Sequence, residues 1–262
     1  MSIPPRWLSG LGAHAEIDED ALVSGAYILS ISGAQQSHVD LGHPEHIFYE
    51  YLRRIANVID LVCPPAEPLK VLHLGAGALT LVRYIQATRP GSAQWAVERE
   101  RELIDFVLRH LPLPSGTTCE CILADVSTAV ATLQDQQFDA VVLDIFADAN
   151  APSELTGAGF QQRLMDLITP GGVLLINVGD DPPLAFAREQ ARALRSCAAG
   201  AAVLTEQAMI DGERPGNLIL VGTARPWAAQ WTAVLDLAGP HPGAVLTDDA
   251  LDRFIRGAHR NG

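Results

Sequence analysis

The 262-residue sequence lacks the features that mark several large classes of protein. No apolar run approaches the ~18 residues of a membrane span. The opening "MSIPPRWLSGLGAHAEIDED" carries no apolar core of signal-peptide length. The expectation is a soluble, cytoplasmic protein with no membrane partner. Basic residues are few, 18 Lys and Arg against 31 Asp and Glu, for a formal net charge of −13. So acidic a surface repels a phosphate backbone, which argues against nucleic acid as a partner and slightly favours a cationic ligand. Only four cysteines occur, at Cys63, Cys119, Cys121 and Cys197. Cys119 and Cys121 alternate on one face of a strand. Zinc pairs usually have a two-residue gap and a second pair, so no metal is expected. Ser115 and Ser153 have no histidine at a readable spacing, so no nucleophile triad is expected. There is no internal repeat.

What is present is an alternating α/β pattern. Residues 1–68 read as a small N-terminal β-region followed by a helix. "ALVSGAYILSISGAQQSHVDL" has β-like runs around a Ser32-Gly33 turn. "PEHIFYEYLRRIANVIDLV" then places Ile47, Tyr51, Ile55, Val58 and Val62 at helical spacing, with Pro44 near the start. "CPPAEPLK" is a linker. Residues 69–262 alternate apolar strands ("KVLHLGA", "SAQWAVE", "CECILAD", "FDAVVLDIF", "TPGGVLLINV") with helical segments. Strands apolar along their whole length, separated by helices, predict a mostly parallel sheet covered on both faces. "AAVLTEQAMI" and "NLILVGTA", joined by a short turn, predict an antiparallel addition at its edge. "LTDDALDRFIRGAHR" predicts a closing amphipathic helix.

In such sheets ligands bind beyond the carboxyl ends of the strands. The first strand ends in Gly75-Ala76-Gly77, the second in Glu98, the third in Asp125 and the fourth in Asp144, with Asp148 four residues on. Gly75 and Gly77 permit a sharp turn and a close approach. Glu98 lies 21 residues after Gly77, a spacing at which a carboxylate meets ribose hydroxyls. Asp125 is placed to accept from an adenine amine, although a single Asp before "VSTAV" is also a helix N-cap. Asp144 stands at the reacting end. His73, inside an apolar strand, reads as a core residue. The sixth position of the glycine loop is Thr80, where a dinucleotide site prefers a small residue. The pattern therefore favours a smaller nucleoside ligand.

"LITPGGVLLINV" has the helix, Pro-Gly-Gly turn and strand that follow the fourth strand of class I S-adenosylmethionine-dependent methyltransferases. The chain resembles that superfamily from about Lys70 to Pro226. Within it the sequence resembles the spermidine synthase family of aminopropyltransferases, over roughly Gly25 to Ala224. "YILSISGAQQSHVDLGHPEHIFYEYL" is similar to that family's hairpin and aromatic-rich helix, and "GNLILVGTA" to its last strand. The resemblance implies a Rossmann-like methyltransferase-type sheet with a small N-terminal β-region. It implies decarboxylated S-adenosylmethionine as co-substrate, a small-molecule amine as acceptor, and a homodimer. It assigns the ribose to Glu98, the adenine to Asp125 and the amine to Asp144. It places Gln36, Tyr49, Glu50 and Asp148 near the substrates, with Gly75, Ala76 and Gly77 as the nucleoside turn.

Two motifs depart from the family. Its "GGGDGG" loop uses the Asp to hold the donor's amino group, and Ala78 stands there. Its "DSSDP"-type motif is replaced by "DIFAD". The leading reading is an aminopropyltransferase acting on a di- or polyamine such as putrescine. The alternatives are a methyltransferase using intact S-adenosylmethionine and a catalytically degenerate binding protein of the same fold. Ala78→Asp is expected to strengthen donor binding if the loop works as the family's does.

Overall fold

The computed structural model describes residues 3–145 and 153–257. Four strands, β1 (Arg6–Leu8), β2 (Ala13–Glu19), β3 (Ala26–Ile31) and β4 (Ala34–Asp40), form an antiparallel meander in that order. The β3–β4 hairpin turns on Ser32 and Gly33, both with positive φ (53° and 77°). This is the twist that a two-residue hairpin loop needs. The exposed, charge-bearing alternation of β2 gives no strong apolar run, and neither β1 nor β2 is distinguished in the sequence. Ala15 and Ile17 nonetheless point inward while their neighbours face solvent.

The second sheet has eight strands: β5 (Lys70–Leu74), β6 (Ala93–Glu98), β7 (Thr118–Leu123), β8 (Phe138–Leu143), β9 (Ile168–Asp180), β10 (Gly200–Glu206), β11 (Gly216–Thr223) and β12 (Gly243–Thr247). Their spatial order is β12-β10-β11-β9-β8-β5-β6-β7. From β7 to β9 all pairs are parallel, and β11, β10 and β12 add antiparallel. The predicted terminal pair adds antiparallel at this end of the parallel strands, as expected. β11 slots between β10 and β9, and β12, which the sequence did not signal, is outermost. The chain leaves β5 towards β6 and β7, then returns to β8 on its other side. That reversal opens a crevice at the carboxyl ends of β5 and β8.

Nine helices are described: α1 (Glu50–Ile59), α2 (Thr80–Thr88), α3 (Arg101–His110), α4 (Val126–Thr132), α5 (Ala158–Met165), α6 (Ala185–Cys197), α7 (Gln207–Ile210), α8 (Ala229–Ala238) and α9 (Asp248–Arg256). α7 occupies "QAMI", which reads as strand in the sequence. α1 begins at Glu50 rather than near Pro44, because Tyr49 is extended and His43 to His46 form a turn. The continuous apolar strands split by alternation. Leu72, Leu74, Val141 and Leu143 face a core with α4, α5, α6 and α9. Val71, Ala140 and Val142 face a core with α1, α2 and α8. A third core joins the two sheets: Leu8, Ala15, Ile17, Leu29 and Val39 pack on Leu79, Val82, Phe106 and Val107 of α2, α3 and the turn before α2. Among the described residues no helix is long and apolar enough to cross a membrane.

Candidate active site

A cavity of about 690 Å³ opens at the crevice, between the carboxyl ends of the parallel strands and a wall formed by β4 and the start of α1. Gly75, Ala76, Gly77, Glu98, Asp125, Asp144, Gln36, Tyr49 and Glu50 all line it. Asp148 lies outside the described residues.

The turn after β5 is built for close approach. Gly75 has φ +101°, and a Cβ there would lie 2.2 Å from the Asp144 carbonyl oxygen. Glycine is therefore required by a backbone packed against it as well as by conformation. At Gly77 (φ +49°) a Cβ would meet the Ser37 hydroxyl at 2.7 Å. Ser37 Oγ accepts from the Ala78 amide (3.1 Å), and Thr80 Oγ1 donates to the His38 carbonyl (3.2 Å). Thr80 thus serves to fasten α2 to β4. Glu98 accepts from the amides of Ala76 (3.4 Å, Oε2) and Glu100 (3.0 Å, Oε1). It bridges two strand-end turns and retains lone pairs for vicinal hydroxyls. Asp125 caps α4: Oδ1 accepts from the Ser127 amide (2.8 Å) and hydroxyl (2.7 Å). These contacts hold its pKa low, and the residue is exposed where it lines the cavity. The capping and ligand-facing readings of Asp125 are compatible.

Asp144 follows β8, half-buried, with its carboxyl held by two donors. Asn177 Nδ2 reaches Oδ1 at 2.8 Å and the Tyr51 hydroxyl reaches Oδ2 at 3.3 Å. Burial raises the Asp144 pKa, and the two donors partly offset it. Burial and the adjacent carboxylate push the Tyr51 hydroxyl well above its ordinary pKa, so it remains a donor. Tyr51 and Asn177 are not singled out by the sequence. Tyr51 reads there as part of a helix face, but its hydroxyl finds Asp144, while Tyr49 reaches Gln35 Oε1 at 3.3 Å. Asn177 is a polar residue inside "LLINV", next to Asp144 because Leu143 pairs with Ile176. His73 also lines the cavity. Its Nε2 lies 3.0 Å from Gln94 Oε1, and burial lowers its pKa to about 4, so the ring is neutral near pH 7.

Ala78 corrects an expectation. It is 1% exposed and packs with Leu8, Val39 and Val107 in the core between the sheets. It does not belong to the cavity wall. A carboxylate there would enter an apolar core rather than meet a ligand's amino group.

The cavity is also lined by Glu50, Arg54, Glu206 and Asn217. Arg54 is buried on α1, and its guanidinium donates to Glu50 Oε2 (3.3 Å) and the Pro240 carbonyl (3.2 Å). Glu206 pairs with Arg214.

The sheet order, glycine turn and strand-end carboxylates define a Rossmann-like, class I methyltransferase-type fold. Within that fold the chain is alike in structure to proteins described as spermidine synthases. A probable spermidine synthase from Corynebacterium glutamicum matches with a TM-score of 0.84 and 25% identity, over 99% of this chain and 94% of that one. Human methyltransferase-like protein 13, solved with SAH, matches with a TM-score of 0.56 and 19% identity, over 79% and 89%. A spermidine synthase in complex with the transition-state analogue AdoDATO matches at 0.56 and 12% identity, over 84% and 71%. The last two show the fold alone. No protein-family model matches the chain, and no curated protein matches it.

Proposed function

We propose that the protein is an aminopropyltransferase that uses decarboxylated S-adenosylmethionine as donor and a di- or polyamine such as putrescine as acceptor. The observation that carries this reading is a single cavity joining a nucleoside-type turn and two strand-end carboxylates to Asp144. The residues fit such a donor. Gly75, Ala76 and Gly77 line the cavity as a tight turn, Glu98 has lone pairs for the ribose, and the exposed Asp125 carboxylate lines the same cavity for the adenine amine. The donor supplies a sulfonium whose neighbouring carbon is open to attack.

Asp144 takes a proton from the acceptor amine, freeing its lone pair. A C–N bond forms and the C–S bond breaks, its electrons staying on sulfur, so methylthioadenosine leaves. Asp144's raised pKa makes it a better proton acceptor than an ordinary exposed carboxylate. Tyr51 and Asn177 fix its orientation, and alignment contributes much of the rate in such a displacement.

The test is incubation of the purified protein with each donor and a panel of amines. Methylthioadenosine release from the decarboxylated donor supports the proposal. Release of S-adenosylhomocysteine from the intact donor would instead make it a methyltransferase. Nucleoside binding without either product would mark a degenerate binding protein.

A further inference from the structure

The turn between β4 and α1 gathers side chains that the cavity does not use. His43, Glu45 and His46 are all exposed, and one ligand atom from each lies within 4.8 Å of the other two. Among the described residues no other three His, Cys, Asp or Glu side chains converge so closely. His43 Nδ1 stands 3.4 Å from Glu45 Oε1. The two imidazole rings stack with centroids 5.2 Å apart, 23° from parallel. The backbone beneath them is pinned. Asp40 Oδ1 accepts from the amides of Gly42 and His43, both at 2.9 Å, and the His46 amide donates to the His43 carbonyl at 2.9 Å.

The donor atoms select the ion. Zinc bonds of about 2.0–2.2 Å to imidazole nitrogen and carboxylate oxygen set tetrahedral ligands roughly 3.3–3.5 Å apart. The His43–Glu45 separation of 3.4 Å already has that value, and the other pairs close by rotation of exposed side chains. Two imidazoles and one carboxylate suit zinc, whereas calcium demands more oxygens and magnesium keeps to them. The formal net charge of −13 favours any cation. The cysteine spacing that argues against zinc does not bear on these three side chains. We propose that His43, Glu45 and His46 bind one zinc ion through two imidazole nitrogens and a carboxylate oxygen, with water completing the shell. None of the three lines the cavity, so the ion takes no part in the transfer step. It fastens the segment that leads from β4 to Tyr49, Glu50 and Tyr51, which do line it. The inference does not depend on the proposed function.

Zinc chloride titrated calorimetrically into tag-free, metal-stripped, full-length protein tests it. One ion per chain should bind. His43→Ala and His46→Ala should each weaken binding at least about tenfold, the low end of what is lost when a group that merely supports a ligand is changed. Glu45→Gln should weaken it as well. His241→Ala and the double variant Cys119→Ser, Cys121→Ser should bind as the wild type does. Melting temperatures check that each variant is folded. Cobalt(II) in the wild type should give a spectrum without the intense near-ultraviolet band of thiolate ligation. Should the cysteine variant not fold, that spectrum decides between the turn and the thiols. No saturable zinc binding, a loss under tenfold in either histidine variant, a loss in the His241 or cysteine variant, or a thiolate band overturns the inference.

Discussion

At Asp144 burial and hydrogen bonding pull in opposite directions. Desolvation raises the carboxyl's pKa above its ordinary 3.8, and the Asn177 and Tyr51 donors draw it back only in part. The folded protein therefore holds that proton more tightly than the unfolded chain does. The neutral form is fully favoured below pH 3.8, and the stability it contributes is lost as pH rises through the raised folded value. Near neutrality the ionised group is a burden on the fold. Asp144→Asn should thus melt at a higher temperature than the wild type at pH 7, with the margin shrinking as the pH falls through the carboxylate range. The same variant should lose about 10²- to 10⁴-fold in turnover if Asp144 is the base. Calorimetric melting across pH checks the first part, and a lower melting point at pH 7 would refute it. Asp144, Glu98 and Asp125 are legible in the sequence because a strand end needs only local pattern to recognise. Asn177 and Tyr51 are not. Asn177 gains its partner from the β8–β9 register, and Tyr51 from the docking of α1 over the crevice.

At the scale of elements, the turn from β5 into α2 is shaped by what lies over it. Leu79 adopts φ +59°, a left-handed conformation uncommon for leucine, and keeps its side chain buried at 2% exposure between the sheets. Arg83 on α2 donates to the carbonyls of Ala78 (3.2 Å), Leu111 (2.5 Å) and Pro112 (2.7 Å), tying the turn to the end of α3. The loop is thus packed from below and above, and Ala78 has no space for a polar group. Ala78→Asp should cost at least about 2 kcal/mol of stability, since a carboxylate would be buried without a built partner. It should not tighten methylthioadenosine binding. Denaturant melts paired with nucleoside titration measure both, and tighter binding by the variant would show that the side chain reaches the ligand. The sequence pattern locates this strand, turn and helix, because apolar periodicity switches at the glycines. It does not reveal the roof, because β1 and β2 are short or largely exposed, and their few inward residues meet α2 and α3 only in three dimensions.

For the whole molecule, the ligand cavity and the junction between the two sheets share one set of residues. Ser37 of β4 lines the cavity and accepts from the Ala78 amide, while His38 beside it accepts from Thr80. The core behind these contacts draws on both sheets. A nucleoside seated on the glycine turn therefore stabilises the small sheet as well as the large one. At a concentration 100 times its Kd, a ligand bound only to the folded state adds about 2.7 kcal/mol. If the sheets are coupled, that gain should appear as slower amide exchange in β4 (Ala34–Asp40) as well as at the ends of β5, β6 and β8. Ser37→Ala removes the acceptor for the Ala78 amide and should cost about 1 kcal/mol. It should also reduce the ligand-induced protection of β4 while leaving that of β8 in place. Exchange followed by mass spectrometry, with and without methylthioadenosine, measures both effects. Protection confined to the large sheet in the wild type would mean that the β-meander is a passive cover. Protection in both, lost from β4 in Ser37→Ala, would make the small sheet part of the binding site.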